Sequence, residues 1–130
     1  MKKILLSSLM LFAVIFIGCH NQQAALVQIT GDSGNIDVTT GQTFVIKLES
    51  NPTTGYSWRL AELKTGIVEK VSNDYVPTKT EGNVVGSGGI EEWTFKAVTK
   101  GKVIITLEYA RPWEKDVPPI KRAVYQVIVK

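Results

Sequence analysis

Cysteine and histidine are almost missing from this sequence. It contains one residue of each kind, Cys19 and His20, and the two are neighbours near the amino terminus. A single cysteine cannot form an internal disulfide, and a zinc site needs several cysteine or histidine ligands. Nucleophilic catalysis by a Cys-His or Ser-His-Asp arrangement needs a histidine base inside the folded domain. We therefore expect neither a metal site nor catalysis of this kind.

Other catalytic and cofactor-binding patterns are missing as well. No glycine-rich segment leads into a predicted helix, so the run at residues 86–89 is not a phosphate-binding loop, and its simplest interpretation is a hairpin tip. Glu91 and Glu92 are adjacent on a predicted strand, where consecutive side chains point to opposite faces and cannot act as a catalytic pair. The sequence therefore favours a binding protein without a cofactor over an enzyme.

A large excess of charge is also absent. The chain has 15 Lys and Arg against 12 Asp and Glu. Lys2 and Lys3 belong to a predicted signal peptide, and without them 13 basic and 12 acidic side chains leave a net charge of +1. Nucleic-acid-binding domains normally carry a pronounced basic patch or stripe. We expect no nucleic-acid partner.

Long apolar runs are confined to the amino terminus. Lys2 and Lys3 precede an uncharged and mostly apolar run over residues 4–18. This layout is typical of a secretory signal peptide, and the run is short for a membrane span. We predict that residues 1–18 form a signal peptide of the lipoprotein type and are absent from the mature protein.

The signal ends in a short motif that suggests lipid attachment. Residues 16–19, Phe-Ile-Gly-Cys, resemble the lipobox of bacterial lipoproteins, although Phe16 stands where Leu is usual. The resemblance implies a lipid on Cys19, with residues 19–25 as a polar tether. The alternative is an incidental thiol at the end of the signal. Lipidation would place an exported domain at the cell envelope, in the periplasm or on the cell surface, anchored to a membrane.

From residue 26 onwards, apolar residues alternate with polar ones, and no sustained helical period appears. We predict a single all-β domain over residues 26–130, an immunoglobulin-like β-sandwich of about seven to eight strands, with a closed barrel as the alternative. Trp58 is interpreted as a core anchor, and residues 61–66 fit a helical turn or a loop equally well. The predicted inward-facing residues are Ile36, Val38, Phe44, Ile46, Leu48, Trp93, Phe95, Ala97, Val103, Ile105, Leu107, Tyr109, Ala123, Tyr125, Val127 and Val129.

Residues 51–56, Asn-Pro-Thr-Thr-Gly-Tyr, form an unusually stiff connection between two strand patterns. Pro52 fixes its own φ, Thr53 and Thr54 are β-branched with restricted χ1, and Gly55 can take the positive φ that turns the chain back into a strand. Such a loop has little entropy left to lose when a partner binds. The alternative is an ordinary connection of a sandwich, made of common turn residues.

Another projecting segment is predicted between the last two strands. Residues 111–113, Arg-Pro-Trp, are followed by residues 114–120, which contain Pro118 and Pro119. Because proline cannot donate to a β-ladder, this segment must leave the sheet and project from one end of the domain. Trp113 could then bind a partner or fold back over the edge of the core, and the sequence leaves both open.

Taken together, three segments resemble the signature motifs of the chagasin family, the proteinaceous inhibitors of papain-like cysteine peptidases. Each motif is short, but the three occur in the family's order and at its separations, and the resemblance spans residues 26–130. The segments are Asn51-Pro52-Thr53-Thr54-Gly55-Tyr56, Gly86-Ser87-Gly88-Gly89 and Arg111-Pro112-Trp113.

This resemblance implies a fold and a binding mode. The family has an immunoglobulin-like fold whose three motif loops cluster at one end and form a tripod over the enzyme's active-site cleft. By position, Thr54 and Gly55 would lie near the catalytic cysteine, residues 86–89 against one side of the cleft and residues 111–113 against the other. The chain would then be a monomeric, reversible inhibitor of papain-like cysteine peptidases with no catalytic group of its own.

Two points remain open at the level of sequence. We expect residues 78–83 and 114–120, which flank the motifs, to influence which peptidases bind. The alternative to an inhibitor is a lipid-anchored immunoglobulin-like module for adhesion or assembly. In that case the same end of the domain binds a partner that is not a peptidase. Inhibition of papain distinguishes the two.

Overall fold

The protein folds as two β-sheets packed face to face. The computed structural model describes residues 26–63, 66–79 and 88–130. Within these residues, β1, β3, β6 and β5 form one four-stranded sheet in that order, and β2, β8, β7 and β4 form the other, which confirms the predicted sandwich. The strands are β1 (Val27–Thr30), β2 (Ser33–Val38), β3 (Thr43–Ser50), β4 (Ser57–Leu60), β5 (Val68–Pro77), β6 (Gly89–Ala97), β7 (Gly101–Ala110) and β8 (Lys121–Val129), with a 3-10 helix at Pro52–Thr54.

The core consists of the side chains that the alternation predicted. Phe44, Ile46 and Leu48 of β3 are buried, as is every second residue along most of β6, β7 and β8. Phe44 stacks on Phe95 of the neighbouring strand with 5.6 Å between ring centroids. Trp58 is 6 % exposed and belongs to the same cluster, so its predicted role as a core anchor is confirmed. Burying one such side chain contributes roughly 1.5–3 kcal/mol, and these inner faces therefore hold the sandwich together.

One core tyrosine combines apolar packing with a polar contact. Burial, and to a smaller extent the charge of Asp32, raises the pKa of Tyr125. The hydroxyl therefore stays protonated across the physiological range and donates a hydrogen bond to the carbonyl of Gly31. This bond ties β8 to the turn between β1 and β2.

Strand boundaries differ slightly from the prediction. Gly89, which the sequence places in a hairpin tip at residues 86–89, is instead the first residue of β6, and β5 extends from Val68 to Pro77 beside it. Gly89 lies opposite Ser50 of β3. It belongs to the strand because the neighbouring strands extend as far as this residue and supply hydrogen-bond partners for its backbone. Residues 61–63 adopt neither a helix nor a strand.

Several sequence-based predictions concern residues outside the described ranges. These are the signal peptide at residues 1–18, Cys19 and the tether at residues 19–25, residues 64–65 of the predicted turn or loop, residues 80–83 of the segment that flanks the second motif, and Gly86 and Ser87 of that motif. In the portion of the chain that the structure covers, no helix is long and apolar enough to cross a membrane.

The first and third motifs meet Gly88 and Gly89, the described part of the second motif, at one end of the sandwich because of the strand pairing. β3 runs antiparallel to β6, with Ser50 opposite Gly89, and β4 runs antiparallel to β7, with Ser57 opposite Ala110. The connection that leaves β3, the residue that leads into β6 (Gly88) and the connection that leaves β7 therefore lie together. We call this the loop end, and we call residues 51–56, 86–89 and 111–113 the first, second and third loops.

Candidate functional site

The first loop is a single tight turn. Asn51 has φ −133° and ψ 87°, the extended geometry expected before a proline. The backbone N–H of Thr54 donates to the carbonyl of Asn51 at 3.1 Å, and that of Gly55 donates to the carbonyl of Pro52 at 2.9 Å. Gly55 has φ 83°, so the predicted positive φ is confirmed. A residue with a Cβ would be strained in this conformation, and the glycine allows the chain to turn directly into β4.

Side chains of the first loop close further hydrogen bonds within it. The hydroxyl of Thr54 donates to the carbonyl of Asn51 at 2.6 Å, and the hydroxyl of Thr53 donates to the side-chain oxygen of Asn51. The backbone N–H of Asn51 donates to the hydroxyl of Tyr109 at 2.9 Å. Pro52, Thr53 and Thr54 nevertheless remain exposed. The loop is therefore fixed internally while its outer surface stays available to a partner.

The third loop is bonded to the first through Arg111. Its Nε donates to the carbonyl oxygen of Thr54 at 3.2 Å, and its guanidinium lies 4.4 Å from the ring centroid of Tyr56. Its Nη1 donates to Glu114 Oε1 at 3.2 Å, which fixes the guanidinium from the other side. A planar guanidinium can donate and stack at the same time, which a lysine ammonium cannot reproduce. Arg111 thus connects two motifs that are far apart in the sequence.

Trp113 lies over the first loop and not over the core. Its side chain is 65 % exposed, and it is absent from the buried cluster. A methyl group added at Gly55 would lie 2.3 Å from Cη2 of Trp113, so the indole ring packs directly on the glycine backbone. The alternative in which Trp113 covers the edge of the core is therefore wrong. The ring is supported by Gly55 on one side and open to solvent elsewhere.

The described part of the second loop packs tightly against its neighbours. A methyl group added at Gly88 would lie 2.8 Å from the carbonyl oxygen of Ser50, and one added at Gly89 would lie 2.4 Å from that of Val76. The N–H of Thr78 donates to the carbonyl of Gly88 at 3.1 Å. These two glycines are therefore needed for backbone packing inside the domain, whatever they contact outside it.

A buried carboxylate lies beneath the loop end. Glu91 is 5 % exposed and accepts hydrogen bonds from the hydroxyl of Ser50 at 2.7 Å and from the backbone N–H of Trp58 at 3.1 Å. The indole N–H of Trp93 donates to its other oxygen at 3.3 Å. Because Glu91 belongs to β6 and Trp58 to β4, this carboxylate joins the two sheets just below the first loop.

Sequence reasoning missed this role for Glu91. The opposite orientations of Glu91 and Glu92 were predicted correctly, since Glu91 is buried and Glu92 reaches Lys47 at 3.4 Å. The alternation along β6 could have indicated this role, because it places Glu91 on the same face as Trp93. An acidic side chain that faces the core needs hydrogen-bond donors around it.

Tyr109 was also predicted only as a core residue. Its ring packs between Tyr56, with 5.5 Å between ring centroids, and Trp58, with 5.0 Å. Its hydroxyl accepts from Asn51, and Lys121 Nζ lies 5.6 Å from its ring centroid. Tyr109 therefore links the core to the first loop, because it has an apolar body and a polar tip.

The chemistry available at the loop end is that of recognition. In the described parts of the chain, no group of three or more His, Cys, Asp or Glu side chains could hold a metal ion. What the end presents is a rigid turn, an exposed indole ring and a guanidinium. Rigid loops around a large aromatic side chain are typical of tight protein interfaces.

Comparison with known proteins is consistent with this arrangement. The profile of the chagasin family of peptidase inhibitors, I42, matches residues 37–127. Amoebiasin-2 from Entamoeba histolytica is 30 % identical over 115 residues, covering 86 % of this chain and 92 % of that protein. Chagasin from Trypanosoma cruzi is 30 % identical over 86 residues, covering 63 % of this chain and 76 % of that protein.

Solved structures show the same fold. The crystal structure of the cysteine protease inhibitor EhICP2 from Entamoeba histolytica superposes with a TM-score of 0.72 at 27 % identity. The superposition covers 81 % of this chain and 96 % of that one. The strand arrangement is therefore shared over nearly the whole of the solved inhibitor.

Proposed function

The chain belongs to the chagasin family of peptidase inhibitors, and from this premise we propose that it inhibits papain-like cysteine peptidases reversibly through its loop end. The family consists of inhibitors, so the chain is not an enzyme. Support comes from the match over residues 37–127 and from the likeness to a solved cysteine protease inhibitor.

The observation that carries the binding mode is the connection between the first and third loops. Arg111 donates to the carbonyl of Thr54, and Trp113 packs on Gly55. The loops are therefore joined into one body before any partner arrives, which lowers the entropy lost on binding. A competitive inhibitor needs such a surface and needs no reactive group.

Within this proposal each loop has a distinct place on the enzyme. Thr54 and Gly55 lie at the catalytic cysteine, at the tip of the turn. Residues 86–89 contact one wall of the cleft, and residues 111–113 contact the other, with Trp113 as the aromatic anchor. This assignment follows the family's motifs, and the exposure of Trp113 supports it.

Titration of papain with the purified full-length chain tests the proposal. We expect stoichiometric and reversible loss of activity, and no binding to papain whose cleft is already filled by a peptide-length covalent inhibitor. Trypsin, a serine peptidase, is the control and should remain fully active. If papain retains its activity at a large excess of the chain, or if cleft-blocked papain binds equally well, the loop end has another partner, as in an adhesion or assembly module.

We also propose that the inhibitor is an exported lipoprotein of the bacterial cell envelope. Support comes from the sequence alone, namely the apolar run over residues 4–18 and the lipobox-like motif that ends in Cys19. Lipidation would hold the inhibitor at a membrane surface, where it meets peptidases outside the cytoplasm.

The localisation can be tested by changing one residue. Cys19→Ser should move the protein from the membrane fraction to the soluble fraction without changing its inhibition of papain. Mass spectrometry of the wild-type protein should show the added acyl chains. A wild-type protein that is fully soluble after export and carries no added mass would contradict the proposal.

A further inference from the structure

We propose that Arg111 protects the Thr54–Gly55 peptide bond from the enzyme by holding the carbonyl of Thr54 against the inhibitor itself. The inference rests on the proposed function, since it assumes that this bond lies at the catalytic cysteine. It assigns Arg111 a positioning role in addition to any contact that it makes with the enzyme.

The peptide group between Thr54 and Gly55 is engaged at both ends. Its carbonyl oxygen accepts from Nε of Arg111 at 3.2 Å, and its N–H donates to the carbonyl of Pro52 at 2.9 Å. Because a peptide group is planar and rigid, fixing its oxygen and its N–H together fixes the orientation of the whole plane. The plane can turn only if at least one of these bonds breaks.

The indole ring of Trp113 adds a third constraint. It packs so closely on Gly55 that a methyl group there would lie 2.3 Å from Cη2. The positive φ of Gly55, 83°, places the next stretch of chain in a turn and not in an extended segment. Rotation of the Thr54–Gly55 plane towards an extended conformation would therefore also have to displace the ring.

Cleavage requires that the carbonyl of Thr54 be free of its hydrogen bond within the inhibitor. The thiolate of a cysteine peptidase must add to the carbonyl carbon of Thr54, while the oxygen takes the negative charge and is stabilised by donors of the enzyme. Collapse of this adduct breaks the C–N bond, and the amine of Gly55 leaves with a proton from the imidazolium. Water then hydrolyses the thioester, giving the carboxylate of Thr54 and the free thiol.

The bond to Arg111 opposes the first of these steps. While the oxygen of Thr54 accepts from the guanidinium of its own chain, it points to the inhibitor and not to the donors of the enzyme. Hydrolysis depends on near-attack geometry and not on proximity alone, so a bond can lie beside the thiolate and remain intact.

Arg111 is itself held in this position. Its Nη1 donates to Glu114 at 3.2 Å, and the guanidinium lies 4.4 Å from the ring centroid of Tyr56. A lysine at this position has one charged nitrogen and no planar fork, so it cannot keep the carbonyl, the carboxylate and the ring together. The proposal therefore predicts that even the charge-conserving change removes the protection.

The test compares full-length wild type with Arg111→Lys and Arg111→Ala. Each is incubated with excess active papain, and both residual papain activity and the mass of the chain are followed with time. Arg122→Ala is the matched control, because Arg122 is an exposed arginine that pairs with Glu108 at 3.6 Å outside the three loops. Thermal unfolding of every variant is measured in parallel.

We expect wild type and Arg122→Ala to stay intact and both Arg111 variants to be cut between Thr54 and Gly55. The rate of cleavage at this bond should rise about tenfold or more, and inhibition should become temporary. Arg111 variants that bind papain but remain intact would overturn the inference, as would cleavage at many bonds at once, which reports unfolding. A wild-type chain that fails to inhibit papain would instead refute the proposed function.

Discussion

Arg111 and Glu91 both hold the loop end together, but Arg111 works at the surface and Glu91 in the core. The side chain of Arg111 is 35 % exposed, whereas Glu91 as a whole residue is 5 % exposed. Water can replace the partners of Arg111 when its bonds break, but it cannot easily reach those of Glu91. Breaking the buried bonds should therefore cost folding free energy, and breaking the exposed ones should alter the shape of the loops.

The largest effect on stability is expected from Glu91→Ala. This change leaves the hydroxyl of Ser50, the N–H of Trp58 and the indole N–H of Trp93 without their acceptor. We expect the free energy of unfolding, measured in urea, to fall by about 3 kcal/mol, since each buried polar group left unpaired costs about 1–3 kcal/mol.

Two controls sharpen that comparison. Glu92→Ala, on the adjacent residue of the same strand, removes only a partly exposed ion pair with Lys47 and should cost about 1 kcal/mol or less. Arg111→Ala should likewise cost about 1 kcal/mol or less. Equal losses for Glu91→Ala and Glu92→Ala would show that the buried carboxylate does not support the loop end.

The next largest effect is a loss of inhibition expected from Gly55→Val, which changes the first loop directly. Valine is strained at φ 83°, and its Cβ would lie 2.3 Å from the ring of Trp113. Either the turn or the ring must move, so we expect the inhibition constant for papain to rise about a hundredfold, which corresponds to about 2.7 kcal/mol.

Gly41→Val is the matched control for this change. Gly41 has φ 88° in the turn between β2 and β3, at the opposite end of the sandwich, and a methyl group there would meet nothing within 4 Å. Gly41→Val should introduce the same backbone strain and therefore lower the temperature of thermal unfolding. The inhibition of papain should remain unchanged. If both variants inhibit as wild type does, the first loop is not part of the interface.

A smaller loss of affinity is expected for Trp113→Ala. The ring is mostly exposed, so its removal should change the free energy of unfolding by less than about 0.5 kcal/mol. An aromatic anchor at an interface typically contributes about 2 kcal/mol, and we expect papain binding to weaken about thirtyfold. Ile104→Ala, which removes an exposed apolar side chain on β7, is the control and should leave binding unchanged. A loss of stability as large as that for Glu91→Ala would mean that Trp113 supports the fold.

Much of the fold could be predicted because it depends on near neighbours in the chain. The alternation of Phe44, Ile46 and Leu48 fixes which face of β3 is buried, and the same rule separates Glu91 from Glu92. The turn at residues 51–56 follows from the fixed φ of Pro52 and the permissive backbone of Gly55. The location of the candidate site remains a prediction that rests on the three motifs and their likeness to a family.

The contacts within the site depend instead on how the two sheets pack. Arg111 reaches Thr54 across 57 positions in the sequence, and Ser50 reaches Glu91 across 41. Neither contact can be predicted from the neighbouring sequence, because each residue is compatible with its own segment whether or not its partner is nearby. The position of the Trp113 ring could not be predicted either, since a loop bounded by prolines can fold back over the core or away from it.

The sequence by itself thus determined the strands, their buried faces and the stiffness of the first loop, since period-two alternation and backbone restriction act within a few residues. Only the tertiary structure decided that Arg111 bonds to Thr54, that Trp113 rests on Gly55 and that Glu91 joins β6 to β4. These contacts arise where strands of different sheets end side by side, and that geometry is set by the packing of the whole core.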